Sequence, residues 1–225
     1  MKKTVLIINY GMGNIFSVSR ALEHCEATPI ISDNPDDILT AERVILPGVG
    51  AFADAMQELR KRELIKPIQQ FVRSGRPFLG ICLGMEMMLD SSEEFGQHEG
   101  LGLIPGRVTK ISSTNKKGEK HKIPHIGWNE LTPSHGEKSW KHTILEEIPV
   151  GTSCYFVHSF TAVPRDSINC LADCNYNGII LSAVIRSGNA YGCQFHPEKS
   201  GAKGLRMIQN FLMLKHYPVE SPSLA

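Results

Sequence analysis

No stretch of this chain approaches the roughly 20 consecutive apolar residues that a helix needs to cross a bilayer, and a helical membrane span is excluded. The start, Met1-Lys2-Lys3 followed by Thr4-Val5-Leu6-Ile7-Ile8, has the order of an export signal. Its apolar run is too short, however, and Asn9-Tyr10-Gly11 is no cleavage site, so it reads as a first buried strand. Excess charge is lacking too. A formal net charge of +1 offers no electrostatic case for nucleic acid or a membrane surface. Nor is there a cysteine framework. Cys25, Cys82, Cys154, Cys170, Cys174 and Cys193 are scattered, and without an export signal they are expected as free thiols in the cytoplasm. Cys170 and Cys174 have no second pair at metal-binding spacing, so no metal is expected. Repeats and low-complexity segments are absent as well.

What is there describes a soluble globular domain. The 41% hydrophobic and 21% charged content is ordinary for one, and 225 residues suffice for a single core. The domain is expected over residues 1–217, with 218–225, rich in Pro, Ser and Glu, a frayed tail. In the first half apolar runs alternate with helix-like stretches. Strands are expected at Thr4–Asn9, Pro29–Ser32, Arg43–Leu46 and Phe78–Cys82. Helices are expected near Ile15–Cys25, over Ala51–Ser74 with a break before Pro67, and at Met85–Leu89. Such alternation argues an α/β fold, a mostly parallel sheet with helices on both faces. The second half adds strands at Leu101–Ile111, Cys154–His158, Ile168–Ala172, Ile179–Arg186 and Ala190–Gln194, then a helix at Gly204–His216. The segment Ser112–Lys122, with Lys116, Lys117, Lys120 and Lys122, reads as a solvated hairpin loop; a rim contact to a partner or a phosphorylated ligand is the alternative.

Two short segments carry the chemistry. Gly80-Ile81-Cys82-Leu83-Gly84 sets a cysteine between glycines, where a strand turns sharply into a helix. That is a nucleophile elbow with sulfur in place of the usual oxygen. The turn is expected to push Cys82 out at the carboxyl end of its strand, at a helix N-terminus whose dipole favours the thiolate. Gln194-Phe195-His196-Pro197-Glu198 supplies a base, His196, and an acid, Glu198, able to hold the imidazole in one tautomer. Leu46-Pro47-Gly48-Val49-Gly50 ends a strand, where ligand sites collect in open α/β sheets. Gly11-Met12-Gly13 only opens like a dinucleotide fingerprint, since Phe16 stands at the third glycine position, and no nucleotide site is warranted.

These segments, with Asn9 to Asn14, Gly100 to Gly106, Pro124-His125-Ile126-Gly127-Trp128-Asn129 and Tyr155-Phe156-Val157-His158-Ser159, run in order along the chain. Together they resemble the triad-type glutamine amidotransferases, and among these the glutaminase subunits of imidazole glycerol phosphate synthase. The resemblance implies a flavodoxin-like domain that hydrolyses L-glutamine with a Cys82–His196–Glu198 triad. It implies backbone N–H groups of Val49 and Leu83 as the oxyanion hole, and Gly50, Glu86, Glu94, His158 and Ser159 as substrate contacts, the last two through main-chain atoms. Asn14, Trp128 and Lys199 would face a (βα)₈-barrel synthase subunit in a heterodimer. No cofactor is implied. Two departures stand out. Glu86 occupies a position that is usually glutamine, and Cys170 to Gly178, with Glu94-Phe95-Gly96, looks more like paralogues that supply ammonia for sugar amidation in surface-polysaccharide synthesis. Both pathways therefore stay open. A γ-glutamyl hydrolase or cysteine peptidase on the same scaffold, and a non-catalytic regulatory subunit, are the rivals of other classes.

Overall fold

The computed structural model describes residues 2–115, 117–134 and 139–216. Lys116 of the lysine-rich segment and the 218–225 tail lie outside the described residues. In chain order, β1 (Thr4–Ile8), α1 (Ile15–His24), β2 (Thr28–Ser32), α2 (Pro35–Thr40), β3 (Val44–Gly48), α3 (Phe52–Lys61), α4 (Ile65–Arg73) and β4 (Phe78–Cys82) alternate, and the short α5 (Leu83–Glu86) follows β4 directly. Then come β5 (Ser91–Ser92), β6 (His98–Glu99), β7 (Gly106–Lys110), β8 (His125–Pro133), β9 (Ser153–His158), β10 (Phe160–Pro164), β11 (Cys170–Tyr176), β12 (Ile179–Ser187), β13 (Ala190–Cys193) and α6 (Gly201–Met213).

Among the described residues one sheet has nine strands, in the order β2-β1-β3-β4-β13-β12-β11-β8-β9, and a second has four, β10-β7-β5-β6. From β2 to β13 every pairing in the large sheet is parallel; from β13 to β9 every pairing is antiparallel. The parallel half is covered on both faces, which is why β3 and β4 are buried along their whole length. Val5 and Ile7 of β1 pack with Val18 and Leu22 of α1 and Ile208 and Phe211 of α6. Leu6 and Ile8 point the other way, toward Ile38 of α2, Met56 of α3 and Phe71 of α4. The period of two along the strand thus sorts its side chains into two cores.

Several expected boundaries move. The single helix over Ala51–Ser74 is two, separated by Arg62–Leu64, where Glu63 takes φ +59°. Pro67 sits in the first turn of α4, where a missing N–H costs nothing. The helix expected at Met85–Leu89 is instead α5, four residues starting at Leu83. Of Leu101–Ile111 only Gly106–Lys110 is strand, because Leu101, Leu103 and Ile104 hydrogen-bond back to Met87 and Met88. Ile168 lies in a 3₁₀ turn, Ser167–Asn169, and β11 begins at Cys170. The last helix starts at Gly201 rather than Gly204 and ends at Met213. Besides the two-residue β5 and β6 and strand β10, two elements, helix α2 and strand β8, have no counterpart in the sequence reading. The first is a single turn and a half that buries only Ile38. The second carries Gly127 and alternates exposed positions, with Ile126 59% and Trp128 60% exposed. Within Ser112–Lys122, Thr114 and Lys120 form an antiparallel bridge, and Lys117, Gly118 and Glu119 between them are exposed, as in a solvated hairpin.

This topology positions the site. Strands β3, β4 and β13 are adjacent and parallel, with Gly48 opposite Cys82 and Cys193 opposite Ile81. Their carboxyl ends therefore bring Val49, Cys82 and His196 to one edge, although 147 residues separate the first from the last (196 − 49 = 147).

Candidate active site

The elbow is built by close approach. A Cβ on Gly84 would lie 1.9 Å from the Leu46 carbonyl oxygen, and one on Gly80 would lie 2.6 Å from Gly84 O, so α5 can seat against β3 and β4 only with glycine at both. Cys82 is held at φ +55°, ψ −113°, a strained backbone for a side chain of any kind. It stands at the carboxyl end of β4, as expected, but it is buried. Only 7% exposed, it forms part of the wall of a cavity of about 360 Å³. Nor is the thiolate favoured. Burial and the neighbouring Glu86 push the Cys82 thiol well above its usual range, against the opposing hydrogen bond from Leu83 N–H. Deprotonation at the moment of attack requires a base.

His196 can be that base. Its Nδ1–H donates to Glu198 Oε1 at 2.8 Å, with the two side chains 3% and 1% exposed. The carboxylate can only accept, so the proton sits on Nδ1 and the lone pair is on Nε2. Nε2 is buried with no partner among the described residues, and His196 lines the same cavity as Cys82. The thiol does not bond to it; Sγ lies 3.8 Å from the Val157 carbonyl oxygen.

The other expected site residues distribute as follows. Val49, Gly50, Leu83, Glu86, Glu94, His158 and Ser159 all line the cavity, with Pro124, Val157 and Phe160. Gly50 takes φ +97°, and Met12 Cε would lie 2.9 Å from a Cβ placed on it. Glu94 Oε2 accepts the Phe52 N–H at 2.6 Å, capping α3 from 42 residues away. The side chain of His158 is fully engaged. Its Nδ1–H donates to Phe160 O at 2.7 Å and its Nε2 accepts from His125 Nδ1–H at 2.9 Å, which leaves main-chain atoms for any substrate contact. Burial lowers both histidines to about 4, so the pair is neutral at neutral pH. Of the residues expected at a partner surface, Trp128 is exposed and packs edge-on against Tyr155, and Lys199 is exposed beside the triad. Asn14 is half-buried, and its Oδ1 accepts Ser17 N–H as the cap of α1. Phe16, Val49 and Ile126 are exposed apolar residues as well.

Residues 6–214 match the family model for glutamine amidotransferase class-I. This chain belongs to that family. The amidotransferase chain is also 54% identical, over 211 residues, to imidazole glycerol phosphate synthase subunit HisH 1 of Legionella pneumophila (strain Lens), covering 94% of this chain and 99% of that one. It is 47% identical over 205 residues to the HisH subunit of Geobacillus sp. (strain WCH70), covering 91% and 94%. Among solved structures, PurLQS from Thermotoga maritima shares the fold of this amidotransferase at a TM-score of 0.67, with 21% identity and 94% and 98% covered.

Four residues of the amidotransferase site had no role in the sequence reading, though each sits in or beside a quoted segment. Gln194 Nε2 donates to Glu86 Oε1 at 2.9 Å. Buried Tyr10 lies close enough that Cys82 helps push its phenol up, after burial. His125 orients His158, and Ser200 ties the triad turn to β9 through Tyr155 N–H. Their types carried no signal, because each acts through a contact distant in sequence.

Proposed function

We propose that this chain is the glutamine-hydrolysing subunit of an imidazole glycerol phosphate synthase, passing ammonia to a (βα)₈-barrel partner in a cytoplasmic heterodimer. The observation that carries the reading is the convergence of Cys82 and the Glu198-oriented His196 on one cavity at the ends of β4 and β13. The names of the relatives supply the pathway.

The chemistry follows from the site. His196 Nε2 takes the Cys82 proton, and the sulfur attacks the side-chain carboxamide carbon of L-glutamine. The oxygen gains negative charge, which the N–H groups of Leu83 and Val49 stabilise. Collapse breaks the C–N bond, and the imidazolium returns its proton to the leaving nitrogen, releasing ammonia and leaving a glutamyl thioester. Water, deprotonated by the same imidazole, then releases glutamate and restores the thiol. Glu198 stabilises the imidazolium without itself taking the proton. The ammonia joins a phosphoribulosyl nucleotide precursor on the barrel, giving imidazole glycerol phosphate and an aminoimidazole carboxamide ribotide.

The test is glutamate release and coupled product formation for the wild type and Cys82→Ala. Loss of glutamine-dependent synthesis, with ammonia-dependent synthesis intact, supports the reading. Loss of both makes Cys82 structural. Stimulation by a sugar-amidation synthase in place of the histidine-pathway barrel would reassign the acceptor.

A further inference from the structure

The cavity around Cys82 carries two carboxyl groups, Glu86 and Glu94, and among the described residues neither lysine nor arginine lines it. L-Glutamine is a zwitterion, with one ammonium and one carboxylate at its α-carbon. Two ionised carboxylates would leave the cavity anionic against a neutral substrate. Only neutral donors, main-chain N–H groups and the Ser159 hydroxyl, would then remain to meet the substrate's own carboxylate.

The two acids have different surroundings. Glu94 is half-buried, and its Oε2 accepts an N–H from the first turn of α3, where a helix dipole favours an anion. Glu86 is 5% exposed and bonds to the neutral Gln194 amide. One neutral donor does not offset the loss of water around a charge. Burial pushes the Glu86 carboxyl up to about 8; the Gln194 bond opposes the rise and Glu94 adds to it. The other ionisable groups facing it are Cys82 at the end of β4, His196 with Glu198 after β13, and His158 at the end of β9. Strands β3 and β10, which also pack on α5, read Val-Ile-Leu-Pro-Gly and Phe-Thr-Ala-Val-Pro and bring no charge.

We propose that Glu86 works as a neutral carboxylic acid whose O–H is the hydrogen-bond donor for the α-carboxylate of glutamine, while Glu94 meets the α-ammonium. The inference rests on the glutaminase reading. A protonated carboxyl resembles a carboxamide in shape and offers one donor and one acceptor side, so Glu86 serves where an amide is usual. Ionisation removes the donor and sets a negative charge against the substrate carboxylate, and affinity falls.

The test is KM for L-glutamine from about pH 6 to about pH 9.5, for wild type and Glu86→Gln, each as the full chain with its synthase subunit. Taking the ratio of the two KM values cancels the substrate's own ionisation. The ratio of wild type to variant should be flat at low pH and rise about tenfold per pH unit above about pH 8. A ratio independent of pH overturns the proposal. Should Glu86→Gln not fold, Glu86→Met, lacking both donor and charge, gives the same reference. If no protein releases glutamate at any pH, the glutaminase reading itself fails. The protonation of Glu86 is then read by infrared difference spectroscopy between acidic and alkaline pH. A carboxylic-acid C=O band at neutral pH, missing from the variant, supports the neutral acid, and its absence from the wild type overturns it.

Discussion

The Ser200 hydroxyl donates to the carbonyl oxygen of His196 at 2.7 Å. The same Oγ accepts the N–H of Tyr155 at 3.0 Å, and His196 N–H in turn donates to Tyr155 O at 3.0 Å. The imidazole-bearing residue is thus registered against β9, whose Tyr155 ring touches the exposed Trp128. Ser200→Ala leaves the Tyr155 N–H unpaired, while His196 O keeps the N–H of Lys199, at a cost of about 1–3 kcal/mol. Stability by denaturant titration should fall by that amount and kcat should fall with little change in KM. Ser200→Thr, which keeps the hydroxyl, should recover most of both.

Within the triad the losses should be ordered. On the proposed mechanism Cys82 and His196 make and break bonds, whereas Glu198 holds Nδ1–H. Cys82→Ala and His196→Asn should each cost more in kcat than Glu198→Gln, by about tenfold or more. Steady-state glutamate release measures it, and equal losses would give Glu198 a larger role than orientation.

Gly84→Ala should fail by backbone collision rather than by chemistry. Its Cβ would sit 1.9 Å from Leu46 O, and β3 cannot yield without breaking its pairing with β4. Thermal unfolding should show a loss beyond the roughly 1 kcal/mol typical of a point substitution, even in a chain already carrying Cys82→Ala.

The His125–His158 pair ties stability to acid. Both are lowered to about 4 in the fold, against an unfolded value of 6.5, so the unfolded chain binds more protons between those limits. The contribution is full above pH 6.5 and is lost as pH falls toward about 4, at up to about 1.4 kcal/mol per pH unit for each histidine. Urea titrations across that range should show the slope, and His125→Asn should reduce it. An unchanged slope would assign the acid sensitivity to other groups.

The partner should act mainly on kcat. Val49 and Gly50 lie just past β3, with Val49 42% exposed and Gly50 at positive φ, free of the pairing that holds Gly48. If the Val49 N–H turns to the oxyanion only when the synthase docks, the isolated chain lacks one donor, worth about 10²–10³ in kcat. Glutamate release with and without the synthase subunit checks this. Full activity alone would remove the gate.

Much of this protein is legible in its sequence because the relevant physics is local. Cys82 between two glycines announces an elbow, since only glycine fits both flanks of so sharp a turn. Val5 to Ile8 and Phe78 to Ile81 announce buried parallel strands, since only covered strands stay apolar throughout. His196 and Glu198, two residues apart, announce an oriented base. What the local pattern could not contain is long-range. The state of the Cys82 thiol was misjudged because burial and Glu86 outweigh the turn's N–H, and burial exists only once β3, β4 and β13 have packed. Helix α3 ends where Glu63 takes a left-handed backbone, and it begins on a cap supplied by Glu94. Strand β8 is defined by pairing with β9 and β11 across its two halves, despite its glycine and exposed apolar residues. Glu86 and Gln194, 108 residues apart, meet because parallel strands align their carboxyl ends. Composition and spacing determine which groups the chain carries; desolvation and strand register, properties of the assembled sheet, decide which of them are charged and which face one another.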